Sequence, residues 1–234
     1  MKKNYKFFRH DTINFIFVQL REEINMSNNY EMYILQLLEG LNDEQRITAI
    51  TAFLEGNGFA VEYERVGKKY INKYYTQSDC KYMLLVILSK EDTSKVEGFS
   101  ILDKSMLTIL RQGYSVCPNR KGNTKRYVIN GNNEHIKLHQ FVMQKNGVFG
   151  KPEEEVDHVS GCYYITTREL LEYVPSAENI ARKRGGAHYF YMYDFRDTWY
   201  AYMLASFGLI SADTLYAVQN VSYINRLNAM NKGA

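Results

Sequence analysis

The sequence predicts an α+β fold. Apolar residues fall at helical spacing in the first third and at the far end, and runs of strand length lie between them. A strand–loop–strand–helix pattern across residues 139–184 completes the prediction. "DTINFIFVQLREEI" (11–24) and "NYEMYILQLLEGL" (29–41) read as helices. "NDEQRITAITAFLEGNGF" (42–59) opens on the cap-type residues Asn42 and Asp43 and stops at Gly56 to Gly58. "FAVEYERV" (59–66) then alternates with period two, and "YMLLVILS" (82–89) is a continuous apolar strand. The charged stretch "KEDTSKVEG" (90–98) reads as a linker, and residues 114–143 as strands broken by Gly and Asn turns. Residues 189–228 read as two helices with Ser211 as the N-cap between them.

These elements divide the chain into three regions: a helical and small-sheet region at 1–95, a central unit at 96–186, and a helical extension at 187–234. Hydrophobic residues at 45% and charged residues at 24% make an ordinary globular composition, neither disordered nor fibrous. Twenty tyrosines against three prolines are a compositional bias and carry no functional weight. The basic, apolar start is interrupted by polar residues and followed by Arg21, Glu22 and Glu23, which argues against a signal peptide. No stretch approaches the roughly 20 apolar residues of a membrane span. Cys80, Cys117 and Cys162 are odd in number and form no C-x-x-C pair, so a reducing cytoplasm is expected and a zinc site is not.

A net charge of +3 is mild, but its distribution is uneven. From Arg111 to His139 there are six basic residues against Glu134 alone, whereas Lys151 to Asn179 holds seven acids against Lys151 and Arg168. Arg182, Lys183 and Arg184 then turn the chain basic again. An acidic segment between basic ones suits a metal ion beside a phosphate backbone.

Within the central unit, "IKLHQFVM" (136–143) reads as a strand carrying His139, and "EEEVDHVSG" (153–161) as a strand ending on Asp157 and His158. "ELLEYV" (169–174) supplies a second strand, and "PSAENIARKR" starts a helix with Pro175, Ser176 and Glu178. Paired strands bring the Asp157–His158 corner to the first turn of that helix, where Asn179 sits. Asp157 and Asn179 offer oxygen to a hard divalent cation, and His158 can take a proton from an attacking water near neutral pH. The three glutamates 153–155 read as solvated, and His188 and Trp199 as packing residues.

Residues 97–186 resemble the HNH endonucleases of the ββα-metal fold, particularly the phage and intron-encoded branch. The resemblance is carried by Leu138 and His139, by Val156, Asp157, His158 and Gly161, and by Glu169, Leu171, Val174, Glu178 and Asn179. It implies a magnesium- or manganese-dependent nuclease of phage or mobile-element origin, acting on double-stranded DNA in a bacterial cytoplasm. His158 would be the general base, His139 a supporting residue, and Asp157 and Asn179 the ligands of one ion. Arg182, Lys183 and Arg184, with Lys125 and Arg126, would face the DNA. The chain departs from the family at Leu170, where a central Asn braces the loop carrying the base, and at Thr166, Thr167 and Gln140. The departure at Leu170 motivates a second expectation: a binding protein on a decayed HNH fold that blocks a host defence nuclease, a CRISPR effector included. Its partner would dock through residues 1–95 or the C-terminal helices. A DNA-binding regulator using the hairpin and basic helix alone is a third.

Overall fold

The computed structural model describes residues 27–119, 126–131, 134–184 and 194–232, so the helix expected at 11–24 lies outside the described residues. Over the described residues the chain is mixed α+β, with seven α-helices and three antiparallel sheets. None of these helices is long and apolar enough to cross a membrane.

Helix α1 (Ser27–Glu39) buries Ile34, Leu35 and Leu38 on one face. Helix α2 (Asp43–Gly56) begins with a capping box: Asn42 accepts from the Gln45 backbone at 2.9 Å, and the Gln45 side chain accepts from Asn42 N–H at 3.1 Å. Asp43 and Glu44 in its first turn complement the helix dipole. The helix ends where Gly58 takes φ +83°, a left-handed conformation that a side chain would strain.

Strands β1 (Ala60–Val66), β2 (Tyr70–Thr76), β3 (Tyr82–Ser89) and β4 (Val96–Asp103) pair in sequence order. The linker expected at 90–98 is instead the β3–β4 turn and the start of β4. Ser89 N–H donates to Lys95 C=O, and Asp92 accepts from Ser94 N–H, which closes it tightly. The sheet therefore crosses the expected boundary at residue 95. In β3, Met83 to Ile87 are all buried because both faces are covered, α2 lying against β4 and the next sheet against β2 and β4.

After a short α3 (Leu107–Leu110), strands β5 (Ser115–Asn119), β6 (Arg126–Gly131) and β7 (Glu134–Lys137) form the second sheet. Two side chains join the sheets. The buried Asn72 amide bonds both backbone groups of Val116, each at 2.8 Å, so that β2 meets β5 through one side chain. The Tyr127 hydroxyl accepts Phe99 N–H at 3.0 Å, and its ring lies where a Cβ on Gly98 would clash, at 2.6 Å.

Residues 138–145 are a helix, α4 (Leu138–Lys145), and not the expected strand. Phe141 and Val142 are consecutive and both buried, together with Leu138. A strand puts neighbours on opposite faces, whereas i, i+3, i+4 spacing puts all three on one helical face. Strands β8 (Glu154–His158) and β9 (Leu171–Pro175) make the third sheet, and α5 (Ser176–Arg184) packs on both. The chain closes with α6 (Trp199–Ser206) and α7 (Ala212–Lys232), and Ser211 caps α7 by accepting Thr214 N–H. Trp199 is buried beside Phe99 and Tyr164, as a packing residue should be; His188 lies outside the described residues.

Replacing Asn72 with Ala leaves both Val116 backbone groups buried and unpaired. The expected cost is about 2–4 kcal/mol, read as a lower urea midpoint at unchanged slope.

Candidate functional site

β8 and β9 pair with Asp157 opposite Glu172 and His158 opposite Leu171. Alternation along β8 sends Glu155 and Asp157 toward α5, while His158 lies on the other side of the strand with α4. Asn179, in the first turn of α5, donates its amide N–H to Glu155 at 2.7 Å. Arg182, three residues on, reaches Asp157 at 3.3 Å. On the opposite side the His139 and His158 rings meet edge to face, with centroids 5.1 Å apart and planes at 81°. Of the four residues singled out from the sequence, His139 and His158 thus meet directly, while Asp157 and Asn179 each bond another residue, Arg182 and Glu155.

The loop from β8 to β9 is held without a central Asn. Val159 N–H donates to Leu170 C=O at 2.9 Å, and Gly161, at φ +63°, donates to His158 C=O at 2.8 Å. Ile165 forms a parallel bridge with Ile101 of β4: Ile101 N–H donates to Tyr164 C=O at 2.8 Å, and Thr166 N–H to Ile101 C=O at 3.0 Å. The buried Ser100 hydroxyl adds bonds to Tyr164 C=O and the Thr166 hydroxyl. Asp103 accepts Arg168 N–H at 2.7 Å, and Ser160 C=O accepts Phe195 N–H at 3.0 Å. Leu170, only 8% exposed, fills core instead of bracing. The brace that the family resemblance places in a side chain here comes from the β4 edge.

Charge also fixes the loop. Burial alone would raise the Glu169 carboxyl, but bonds from Lys81 and Tyr82 and the Lys81 charge hold it below its ordinary value of 4.5. Burial pushes the Asp103 carboxyl up, against the bond it accepts from Arg168.

Asp157 is 4% exposed and Asn179 fully buried. With Asn179 Nδ2 on Glu155, its Oδ1 points away from that carboxylate, buried and accepting no hydrogen bond. Rotating the amide would set two acceptors against each other, so Glu155 fixes this orientation. Glu155 is therefore half-buried and engaged, not solvated as the sequence suggested; its position two residues before Asp157 on an alternating strand was the available signal. Arg182 also departs from its expected role. Its side chain is 14% exposed and its guanidinium is turned inward, bonded to Asp157, Glu172 and Glu178. Lys183 and Arg184 close the last turn of α5, Arg126 opens β6, and Lys125 lies outside the described residues.

Among the described residues, no group of three or more His, Cys, Asp or Glu side chains is arranged to hold a metal. The donors that fit a hard cation are oxygens, the Asp157 carboxylate and the orphaned Asn179 Oδ1, with water completing the shell. A cavity of about 540 Å³ lies elsewhere, between the β8–β9 loop and the starts of α2 and α6. Its arginines already serve the fold, Arg46 on the carbonyls of Leu38 and Glu39 and Arg196 on Asp194. The chain matches no protein-family model, no curated protein and no solved structure.

Leu170→Asn, which restores the residue of the resembling family, is expected to destabilise the protein by about 1–3 kcal/mol in chemical denaturation, because it buries an amide among apolar side chains. A depressed Glu169 carboxyl contributes stability above its unfolded value, lost as pH falls through the folded one. In thermal melts, wild type should therefore exceed Glu169→Gln above about pH 4.5 and lose that margin on acidification.

Proposed function

We propose that the protein is a metal-dependent endonuclease that hydrolyses phosphodiester bonds of double-stranded DNA, with β8, β9 and α5 as a ββα-metal unit of HNH type. The observation that carries this reading is the buried, unpartnered Oδ1 of Asn179, whose amide bonds Glu155, two residues before Asp157 on β8. A buried acceptor left unmade costs about 1–3 kcal/mol, and a cation shared with Asp157 would recover it. Asp157 and Asn179 are the proposed ligands of one magnesium or manganese ion. When bound, that ion supplies polarisation of the phosphate and stabilises charge on the leaving oxygen. The His158 imidazole takes the proton of the water that attacks phosphorus, as the bond to the leaving oxygen breaks. His139, edge to face with it, restricts its orientation. Lys183 and Arg184, with Arg126 of the second sheet and Lys125 before it in sequence, are proposed to meet the DNA backbone. The resemblance to the HNH family implies a phage or mobile-element protein acting in a bacterial cytoplasm.

One observation favours a second reading. Asp157 already holds a cation in Arg182, which suits a binding protein that keeps the fold without the chemistry. Such a protein would block a host defence nuclease, docking through residues 1–95 or the helices after 187.

Plasmid nicking with millimolar magnesium or manganese separates the two. The nuclease reading expects nicking that falls about 10²–10⁴-fold in His158→Ala. No cleavage by wild type, with host-nuclease inhibition intact in His158→Ala, would establish the second reading instead.

A further inference from the structure

We infer that Arg182 is the built-in counter-cation of the Asp157–Asn179 centre, and that a divalent ion binds there only by displacing its guanidinium from Asp157. This rests on the metal reading above and assigns that site its regulation: Arg182 sets the metal concentration at which the centre fills.

Four carboxylates, Glu155, Asp157, Glu172 and Glu178, gather against α5, with one guanidinium among them. One positive charge leaves this group with an excess of negative charge in a half-buried place, where attraction for a further cation is strong. Asn179 and Arg182 are three residues apart and share a helix face, and they bond Glu155 and Asp157, which are two residues apart on one face of β8. Arg182 does not bond the orphaned Asn179 Oδ1; it holds Glu178 through Nη2 at 2.6 Å and Nε at 3.1 Å.

The contacts of the guanidinium are unequal. Its bond to Asp157, at 3.3 Å, is longer than either of its bonds to Glu178 and lies beyond the usual N–H···O range of about 2.7–3.2 Å. Its bond to Glu172 is short. Asp157 is the partner it holds most loosely. An ion entering between Asp157 and Asn179 Oδ1 displaces one long bond, and Arg182 stays anchored to Glu172 and Glu178. Without the ion, the same bond sets a positive charge against a buried carboxylate, so the fold does not require metal.

The test is manganese binding, followed by the loss of free-ion paramagnetic resonance signal, with thermal unfolding in EDTA and in manganese as a second readout. The proteins are wild type, Arg182→Gln, Arg182→Lys and the double variant Asp157→Asn with Arg182→Gln. R182Q is expected to bind manganese at least about tenfold more tightly than wild type, since an opposing charge is gone. It should melt lower than wild type in EDTA and gain more from manganese, and the double variant should lose both the binding and the gain. R182K keeps the charge but not the fork that spans three carboxylates, and its affinity should fall between the two. It also serves if R182Q does not fold. Wild type binding manganese as tightly as R182Q and R182K overturns this inference and leaves the metal reading standing. No binding by any of the four overturns both.

Discussion

The outer edge of β4 is the constraint on which the rest of the molecule depends. One side of this strand pairs with β3; the other presents backbone groups that burial would leave unpaired. Phe99 N–H is satisfied by the Tyr127 hydroxyl, and Ile101 N–H and C=O by Tyr164 and Thr166. The Asp103 side chain extends the same edge to Arg168. Alternate residues of one strand thus bind the second sheet, then the loop behind His158, then the turn that leads into β9. The candidate site hangs from a sheet edge, and its geometry is only as firm as those bonds.

This arrangement explains what was legible in the sequence and what was not. Elements whose signals are local were readable: the Asn42 cap of α2, the Ser211 cap of α7, the apolar run of β3, and the strand–loop–strand–helix order around Asp157. Residues 138–145 misled because the apolar–polar alternation of Ile136, Lys137, Leu138 and His139 runs into them, and burial of the adjacent Phe141 and Val142 decides for a helix. Strand β2 and the turn before β4 carry many polar residues and sit among tyrosines and lysines, which hides their pairing. Long-range attachments left no local trace. Nothing near Asn72 says that it will bond Val116, and nothing near Leu170 says that Ile101 will brace the loop.

The site residues divide in the same way. Asp157, His158 and Asn179 stand out by type and spacing, and the structure gathers them with His139 around the end of β8. Glu155 and Glu172 did not stand out, since acids on strands are ordinarily solvated. They matter because pleating and register, and not sequence proximity, turn them toward α5. Arg182 is placed differently from what the sequence suggests for a related reason. A basic run at a helix end suggests an outward face, but position i+3 from Asn179 points inward.

Stability alone gives no reason for this cluster. Asp157 and Arg182 are buried there while Glu172 and Glu178 stay partly in water, so the pair loses hydration that its attraction does not restore, and apolar side chains of similar size would ordinarily hold the strands and helix as well. The same region also leaves a buried amide oxygen without a donor and fixes its orientation with a further carboxylate. At the sheet junctions such demands are met: Asn72 uses both ends of its amide, and Ser100 bonds twice, although the buried hydroxyls of Tyr74, Thr167 and Thr198 stand without a partner as Asn179 Oδ1 does. What sets the α5 face apart is the combination: Asn179 Oδ1 is an idle acceptor on a helix that also carries or meets Glu155, Asp157, Glu172 and Glu178. On the proposed metal reading, these are the groups a cation would use.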